Sequence, residues 1–195
     1  MKTNENKIFW ETKYKTGETG WNIGSISTPL KEYIDQLTNK NLKILIPGAG
    51  NAYEAEYLYN QGFKNIYVMD IAKIPLLHFK KRIPHFPDNQ ILEEDFFQHI
   101  GFYDLIIEQT FFCAIAPLMR KLYAQKIHEI LNVNGQLVGL LFNFPLTEDG
   151  PPFGGSYQEY LDTFTPYFEI KKLEKCYNSI KPRANNEFFI QFKKK

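Results

Sequence analysis

Three short stretches carry residue types that could hold a charged nucleoside. PGAGN, at Pro47–Asn51, sets Gly48 and Gly50 in a tight turn directly after an apolar run. Asp70 follows twenty residues after Gly50 and closes the run NIYVMD. A carboxylate at the tip of a second strand can accept both hydroxyls of a ribose. Asp95 and Phe96, in EEDFF, offer an acceptor for the exocyclic amine of adenine and a ring to pack on the base. The third glycine of a dinucleotide-binding G-x-G-x-x-G would fall at Tyr53, and a side chain there blocks the close approach that a pyrophosphate needs. Ribose and adenine readers without a phosphate cradle describe a nucleoside carrying some other group. S-adenosylmethionine fits, because its sulfonium is a cation and aromatic faces attract cations by about 0.5 to 2 kcal/mol when water is excluded. Both tryptophans, Trp10 and Trp21, lie in the first 21 positions. Each residue also has a plain structural reading: the glycines as a tight turn, Asp70 as the N-cap of a helix starting near Ala72, Asp95 as a surface acid.

These residues need a scaffold, and the chain supplies the pattern of one. From Leu42 onward short apolar runs alternate with helix-patterned segments, the signature of a parallel sheet. The runs predict strands at Leu42–Pro47, Asn65–Asp70, Gln90–Glu94, Tyr103–Thr110 and Gln136–Phe144. Between them, helices are expected over Ala52–Asn60, Pro75–Arg82 and Pro117–Leu131. The last should bury Leu118, Leu122, Ile127, Ile130 and Leu131, with NVNG and Gly135 as its stop. After the loop PLTEDGPPFGGS a short helix capped by Ser156 precedes two alternating strands, Phe168–Cys176 and Glu187–Lys194, expected as an antiparallel hairpin at the sheet edge. The fold class is α/β: a Rossmann-like seven-stranded sheet, five parallel strands plus a C-terminal antiparallel hairpin, with helices on both faces. A length of 195 residues suits one domain over 1–195.

Composition closes off other classes. With 23 Lys+Arg against 22 Asp+Glu the formal charge is +1, without the basic excess that a phosphate backbone rewards, so no nucleic-acid partner is expected. No apolar run approaches the ~18 residues of a spanning helix, and MKTNENKIFWE has no apolar signal core, so a cytoplasmic protein without a membrane partner is expected. Cys113 and Cys176 make no disulfide framework, and no CxxC or HExxH spacing points to a metal.

The chain resembles the thiopurine S-methyltransferase family, within it the branch of plant halide and thiol methyltransferases. Three blocks carry the likeness: FWETKYKTGETGWNIGSISTPLKEYI, the PGAGN turn with Asp70, and YDLIIEQTFFCAIAPLMRKLYAQKIHEIL followed by G-x-L and GPP. The resemblance implies that residues 1–40 form a cofactor-covering segment and helix in which Trp10, Tyr14 and Trp21 enclose S-adenosylmethionine. It also implies that Gly48 faces the cofactor's amino acid end, Asp70 its ribose, Asp95 and Phe96 its adenine, and that Gln109 touches it. Tyr14 stands where the family usually has tryptophan, and Glu108 and Gln109 depart from the aspartate and tyrosine of the plant branch.

Methyl transfer from a sulfonium is an in-line displacement, in which orientation alone can supply ~7 to 11 kcal/mol. A thiolate or halide needs no protein base, whereas an alcohol would. His78, His85, His99 and His128 are expected at the surface. Glu108, at a strand tip, could orient substrate or cofactor or cap the next turn, and Tyr157 could help position the acceptor. Phe111, Phe112, Phe153, Tyr157 and Tyr160 are expected to form the acceptor pocket, with ordinary core as the alternative, and Cys113 to be a packed, inert thiol. The expected function is S-adenosylmethionine-dependent methylation of a small soft nucleophile, a thiol, thiopurine-like compound or halide, by a monomer. The alternatives are a cofactor-binding regulator without turnover and a nicotinamide-dependent oxidoreductase, against which Tyr53 counts.

Overall fold

A computed structural model describes residues 3–195, with the side chain of Thr3 excepted. The elements in chain order are α1 (Thr3–Thr16), α2 (Thr28–Asp35), β1 (Ile44–Pro47), α3 (Tyr53–Asn60), β2 (Ile66–Asp70), α4 (Lys73–Arg82), β3 (Ile91–Glu93), β4 (Tyr103–Gln109), α5 (Arg120–Ile130), β5 (Leu131–Phe142), α6 (Tyr157–Phe164), β6 (Phe168–Lys175) and β7 (Glu187–Lys194). They build one seven-stranded sheet in the order β3-β2-β1-β4-β5-β7-β6. The first five strands pair in parallel, with Ile44 beside both Ile66 and Leu105. β7 runs antiparallel to both neighbours and sits between β5 and β6, so the hairpin is inserted with its second strand inward and β6 forms the edge.

Successive side chains of a strand point to opposite faces, and here both faces are covered. Leu45, Met69, Ile106 and Leu137 pack with Tyr123, Ile127 and Phe164 on one side. Ile44, Ile46, Val68 and Leu105 pack with Leu30, Leu58 and Phe79 on the other. Two cores explain why β1, β2 and β4 are apolar at nearly every position.

Two expectations are corrected. The helix expected over 117–131 begins only at Arg120, after a 3₁₀ turn at Pro117–Met119, and it buries Arg120, Tyr123, Ala124, Ile127 and Ile130. Leu118 and Leu122 stand 84% and 43% exposed. Nor does NVNG stop the helix, because Leu131 is already extended and opens β5. His99, expected at the surface, is buried between Glu94 and Tyr103.

The covering segment is a helix. α1 has no broad apolar face of its own, and an isolated helix of its length is marginal in water, so its position rests on a few contacts. Glu11 accepts the N–H of Lys73 at 2.5 Å, Lys7 pairs with Glu93 at 2.5 Å, and Trp10 meets Trp21 edge-on at 5.3 Å. These contacts lay α1 across the carboxyl ends of β2 and β3. No helix among the described residues is long and apolar enough to cross a membrane.

Candidate functional site

Pro47 ends β1, and the chain must reverse at once to enter α3. Gly48 and Gly50 take φ of +56° and +52°, a region that costs a residue with a Cβ. At Gly48 space also forbids a side chain, since a Cβ would lie 2.2–2.8 Å from side-chain atoms of Phe111. The Gly50 N–H donates to Asp70 Oδ2 at 2.8 Å, and the Ala72 N–H donates to Asp70 Oδ1 at 2.8 Å. Asp70 therefore ties the turn after β1 to the turn after β2. Burial pushes its pKa up to about 6 against the two N–H groups, and the charge of Glu11 adds to the rise.

Tyr14 hangs from α1 over this turn. A Cβ on Gly50 would lie 2.7 Å from the Tyr14 hydroxyl, which accepts the indole N–H of Trp21 at 3.3 Å. Burial first, then the charge of Asp70, holds the phenol well above its ordinary pKa. The cleft beneath is lined by Trp21, Gly48, Gly50, Asn51, Glu54 and Gln109. Gln109 accepts the Ser27 hydroxyl at 3.1 Å through Oε1, while its Nε2 is buried with no partner. Asn51 Oδ1 is likewise buried without one. A donor and an acceptor that the protein leaves unpaired in one cleft are open to water or to a ligand. The amino acid end of a ligand has the complementary pair, a carboxylate that accepts and an ammonium that donates.

The strand tip of β4 holds Glu108, fully buried. Its Oε1 accepts the N–H groups of Phe111 and Phe112 at 2.8 Å each, and its Oε2 accepts the Tyr123 hydroxyl at 2.5 Å. Of the roles left open for it, the geometry gives it the cap: it fixes the turn that presses Phe111 onto Gly48. Burial raises its pKa to about 7 despite these donors. Asp95 also caps, accepting the Phe97 N–H at 2.9 Å, and Phe96 is buried against Phe111 and Tyr123.

The five acceptor-pocket candidates separate. Phe111 is partly buried on the glycine turn, and Phe153 is partly buried in a loop whose N–H donates to the Cys113 carbonyl at 2.8 Å. Phe112 and Tyr160, each 1% exposed, belong to the core with Tyr123 and Phe164. Tyr157 stands 48% exposed, against Phe188 and outside the cleft. The Cys113 thiol is buried, and burial drives its pKa far up, as an inert thiol requires.

Three residues that were not singled out in the sequence converge here. Arg120 forms an ion pair with Glu159, donates to the Gly154 carbonyl at 2.8 Å and lies over the Phe112 ring, its Nε without a hydrogen bond. Arg183 comes from the β6–β7 connection, 162 residues from Trp21, whose carbonyl takes one of its N–H groups at 2.9 Å. Its other terminal nitrogen is buried without a hydrogen bond, 3.6 Å from Glu187. Both guanidiniums bear on Cys113 electrostatically. Glu54 is buried at the cleft, its pKa raised to about 7 by burial and opposed by Arg183. Glu54 follows Gly50 of the glycine turn by four residues, whereas Arg120 and Arg183 reach the site only through the fold, so no motif marks them. Among the described residues no group of three or more His, Cys, Asp or Glu is placed to hold a metal ion.

Comparison with known proteins places the chain as a whole. Residues 5–193 match the family Thiopurine S-methyltransferase. A probable thiol methyltransferase 2 of Arabidopsis thaliana is 28% identical over 191 residues, covering 95% of this chain and 84% of that one. A thiopurine S-methyltransferase of Vibrio campbellii is 23% identical over 180 residues, covering 82% of each. Among solved structures, the 1,6-didemethyltoxoflavin-N1-methyltransferase of Burkholderia thailandensis, with S-adenosylhomocysteine bound, superposes with a TM-score of 0.77 at 15% identity over 96% of this chain and 86% of that one, which shows the shared fold. With its whole described sheet, its glycine turn and its aromatic cover inside the matched span, the chain belongs to the thiopurine S-methyltransferase family.

Proposed function

We propose that the protein is an S-adenosylmethionine-dependent methyltransferase acting on a small soft nucleophile that arrives as an anion, a thiolate, a thiopurine-like thiolate or a halide-like ion. The observation that carries this reading is the pair of unanswered groups, Gln109 Nε2 and Asn51 Oδ1, beside a ribose-competent carboxylate at Asp70. S-adenosylmethionine, when bound, supplies a methyl group on a cationic sulfur. The chain's own residues hold and orient. Gln109 and Asn51 would take the amino acid end, Gly48 and Gly50 let it approach the backbone, and Asp70 would accept ribose hydroxyls. Asp95 would read the adenine from the turn it caps, with Phe96 supporting from beneath. Trp10, Tyr14 and Trp21 close over the top and exclude water.

On the acceptor side, Phe111 and Phe153 give an apolar wall, and Arg183, with one terminal nitrogen free of hydrogen bonds, gives a positive charge, while that of Arg120 is paired with Glu159. An anion desolvated there gains more from a guanidinium than it would in water. No buried base is needed, since a thiolate is a competent nucleophile, and the carboxyl of Glu108 is already engaged by three donors. The reading also takes the chain as one cytoplasmic catalytic unit that works as a monomer without nucleic acid. Two free cysteines support the compartment and a net charge of +1 the absence of nucleic acid. Titration with S-adenosylhomocysteine tests the cofactor half: saturable binding, weakened about tenfold or more by Asp70→Ala, is expected, and absence of binding by the native chain would overturn it.

A further inference from the structure

A second cavity, of about 430 Å³, opens beside the amino ends of β1, β2 and β4 and runs along β3 past Leu92 to Glu94. It lies within the ~300–1,000 Å³ range of small-molecule sites. Lys43, immediately before β1, Tyr67 near the start of β2 and Tyr103 at the start of β4 form its floor, with Leu92 and Ile100 as apolar walls. The Lys43 ammonium stands 4.9 Å from the centroids of both tyrosine rings. Among the described residues no carboxylate pairs with it.

The tyrosine floor is held rigidly. Tyr103 OH lies 2.8 Å from His99 Nε2, and His99 Nδ1 lies 2.6 Å from Glu94 Oε1, so the acid at the rim is already engaged by the imidazole. The rings of Tyr67 and Tyr103 meet at 72° with centroids 5.4 Å apart. A Cβ on Gly101 would lie 2.7 Å from His99 Nε2, so the loop packs onto the relay with no room to spare. Ile100, 89% exposed, borders the opening as an apolar flap. Two fixed rings, two aliphatic walls and one unpaired cation answer a flat apolar body that carries a negative charge.

We propose that this cavity is a binding site for a small aromatic carboxylate, its carboxylate on Lys43 and its ring between Tyr67, Leu92 and Ile100. The lining shares no residue with that of the cofactor cleft, although Glu94 directly precedes Asp95 and its N–H donates to the Asp70 carbonyl. Nothing in the proposal depends on the transfer reaction.

Indole-3-acetate and its uncharged counterpart indole-3-acetamide, titrated into the full chain and followed by amide NMR, test it. The expected result is saturable shifts at Tyr67 and at residues 98–103 with the acid, and binding about tenfold or more weaker with the amide, as loss of a charge-assisted contact predicts. Lys43→Met should weaken the acid to a similar degree, Lys43→Arg should restore it, and S-adenosylhomocysteine should bind both variants as it binds the native chain. The proposal is overturned if the acid gives no saturable shift, if acid and amide bind the native chain equally, or if the shifts fall at Gly48–Asn51 instead.

Discussion

Asp70 Oδ2 and the backbone N–H of Gly50 are 2.8 Å apart, so the acid at the tip of β2 and the glycine turn after β1 form one hydrogen-bonded unit. A ligand that uses either uses both. Asp70→Ala strands the Gly50 and Ala72 N–H groups and removes the ribose acceptor, a loss of about 1–3 kcal/mol for each buried partner left unpaired. The variant should bind S-adenosylhomocysteine at least about tenfold more weakly by calorimetry; unchanged affinity would misplace the ribose.

Protonation gives the same unit a pH signature of two signs. Ribose hydroxyls donate to the ionised carboxylate, and the pKa of Asp70 is raised to about 6, so cofactor affinity should climb between pH 5 and 7 and then level. Stability should move the other way. Asp70, Glu54 and Glu108 have folded-state values of about 6, 7 and 7, above the ordinary carboxylate range, so the native state binds more protons than the unfolded chain. Their contribution is full below that range and is lost as pH rises through about 6 to 7. Urea melts from pH 4.5 to 7.5 check the slope, and removing Glu54 by Glu54→Gln should flatten it.

Glu108 is expected to matter through Phe111 rather than through substrate. Tyr123→Phe removes one of its three donors and should cost about 1–3 kcal/mol in chemical denaturation while leaving turnover measurable. Glu108→Leu leaves the Phe111 and Phe112 N–H groups without an acceptor and should cost more, loosening Phe111 from Gly48. Gly48→Ala attacks that contact from the other side, with a positive φ and a colliding ring, and should lose cofactor binding at a backbone strain of about 1–3 kcal/mol.

Much of the scaffold was legible because the periodicities are unambiguous. β1, β2 and β4 fall within about two residues of the apolar runs that announced them, and the Ser156 cap holds α6 with an N–H···O of 3.2 Å from Glu159. The start of α5 was not legible: Leu118 and Leu122 are one helical turn apart and mimic a buried face, whereas the 3₁₀ turn after Pro117 rotates the true stripe to Tyr123 and Ile127. The inward placement of β7 also escaped, since alternation along a strand says which face is apolar and nothing about its neighbours. In the site, the residues on strand tips and the glycine turn could be named from the chain. Arg183 could not, because only the fold brings it to Trp21, and helix spacing alone does not say that α6 leaves the Tyr157 ring half exposed against Phe188.

Arg183 tests the charge of the acceptor. Arg183→Met should raise KM for an anionic acceptor about tenfold or more, with a smaller effect on S-adenosylhomocysteine affinity, and Arg183→Lys should recover part of the loss. Cys113→Ala should leave transfer nearly unchanged, since the thiol is buried and held protonated.

The central claim is transfer of a methyl group to a soft anion. It is tested most directly by incubating the purified chain with methyl-labelled S-adenosylmethionine and a panel of thiocyanate, iodide, hydrosulfide, an aromatic thiol, a thiopurine and a matched alcohol. The account predicts labelled product from one or more of the soft nucleophiles, none from the alcohol, and transfer reduced about tenfold or more after Asp70→Ala at limiting cofactor. Cofactor binding without transfer to any soft nucleophile, or transfer to the alcohol alone, would contradict it.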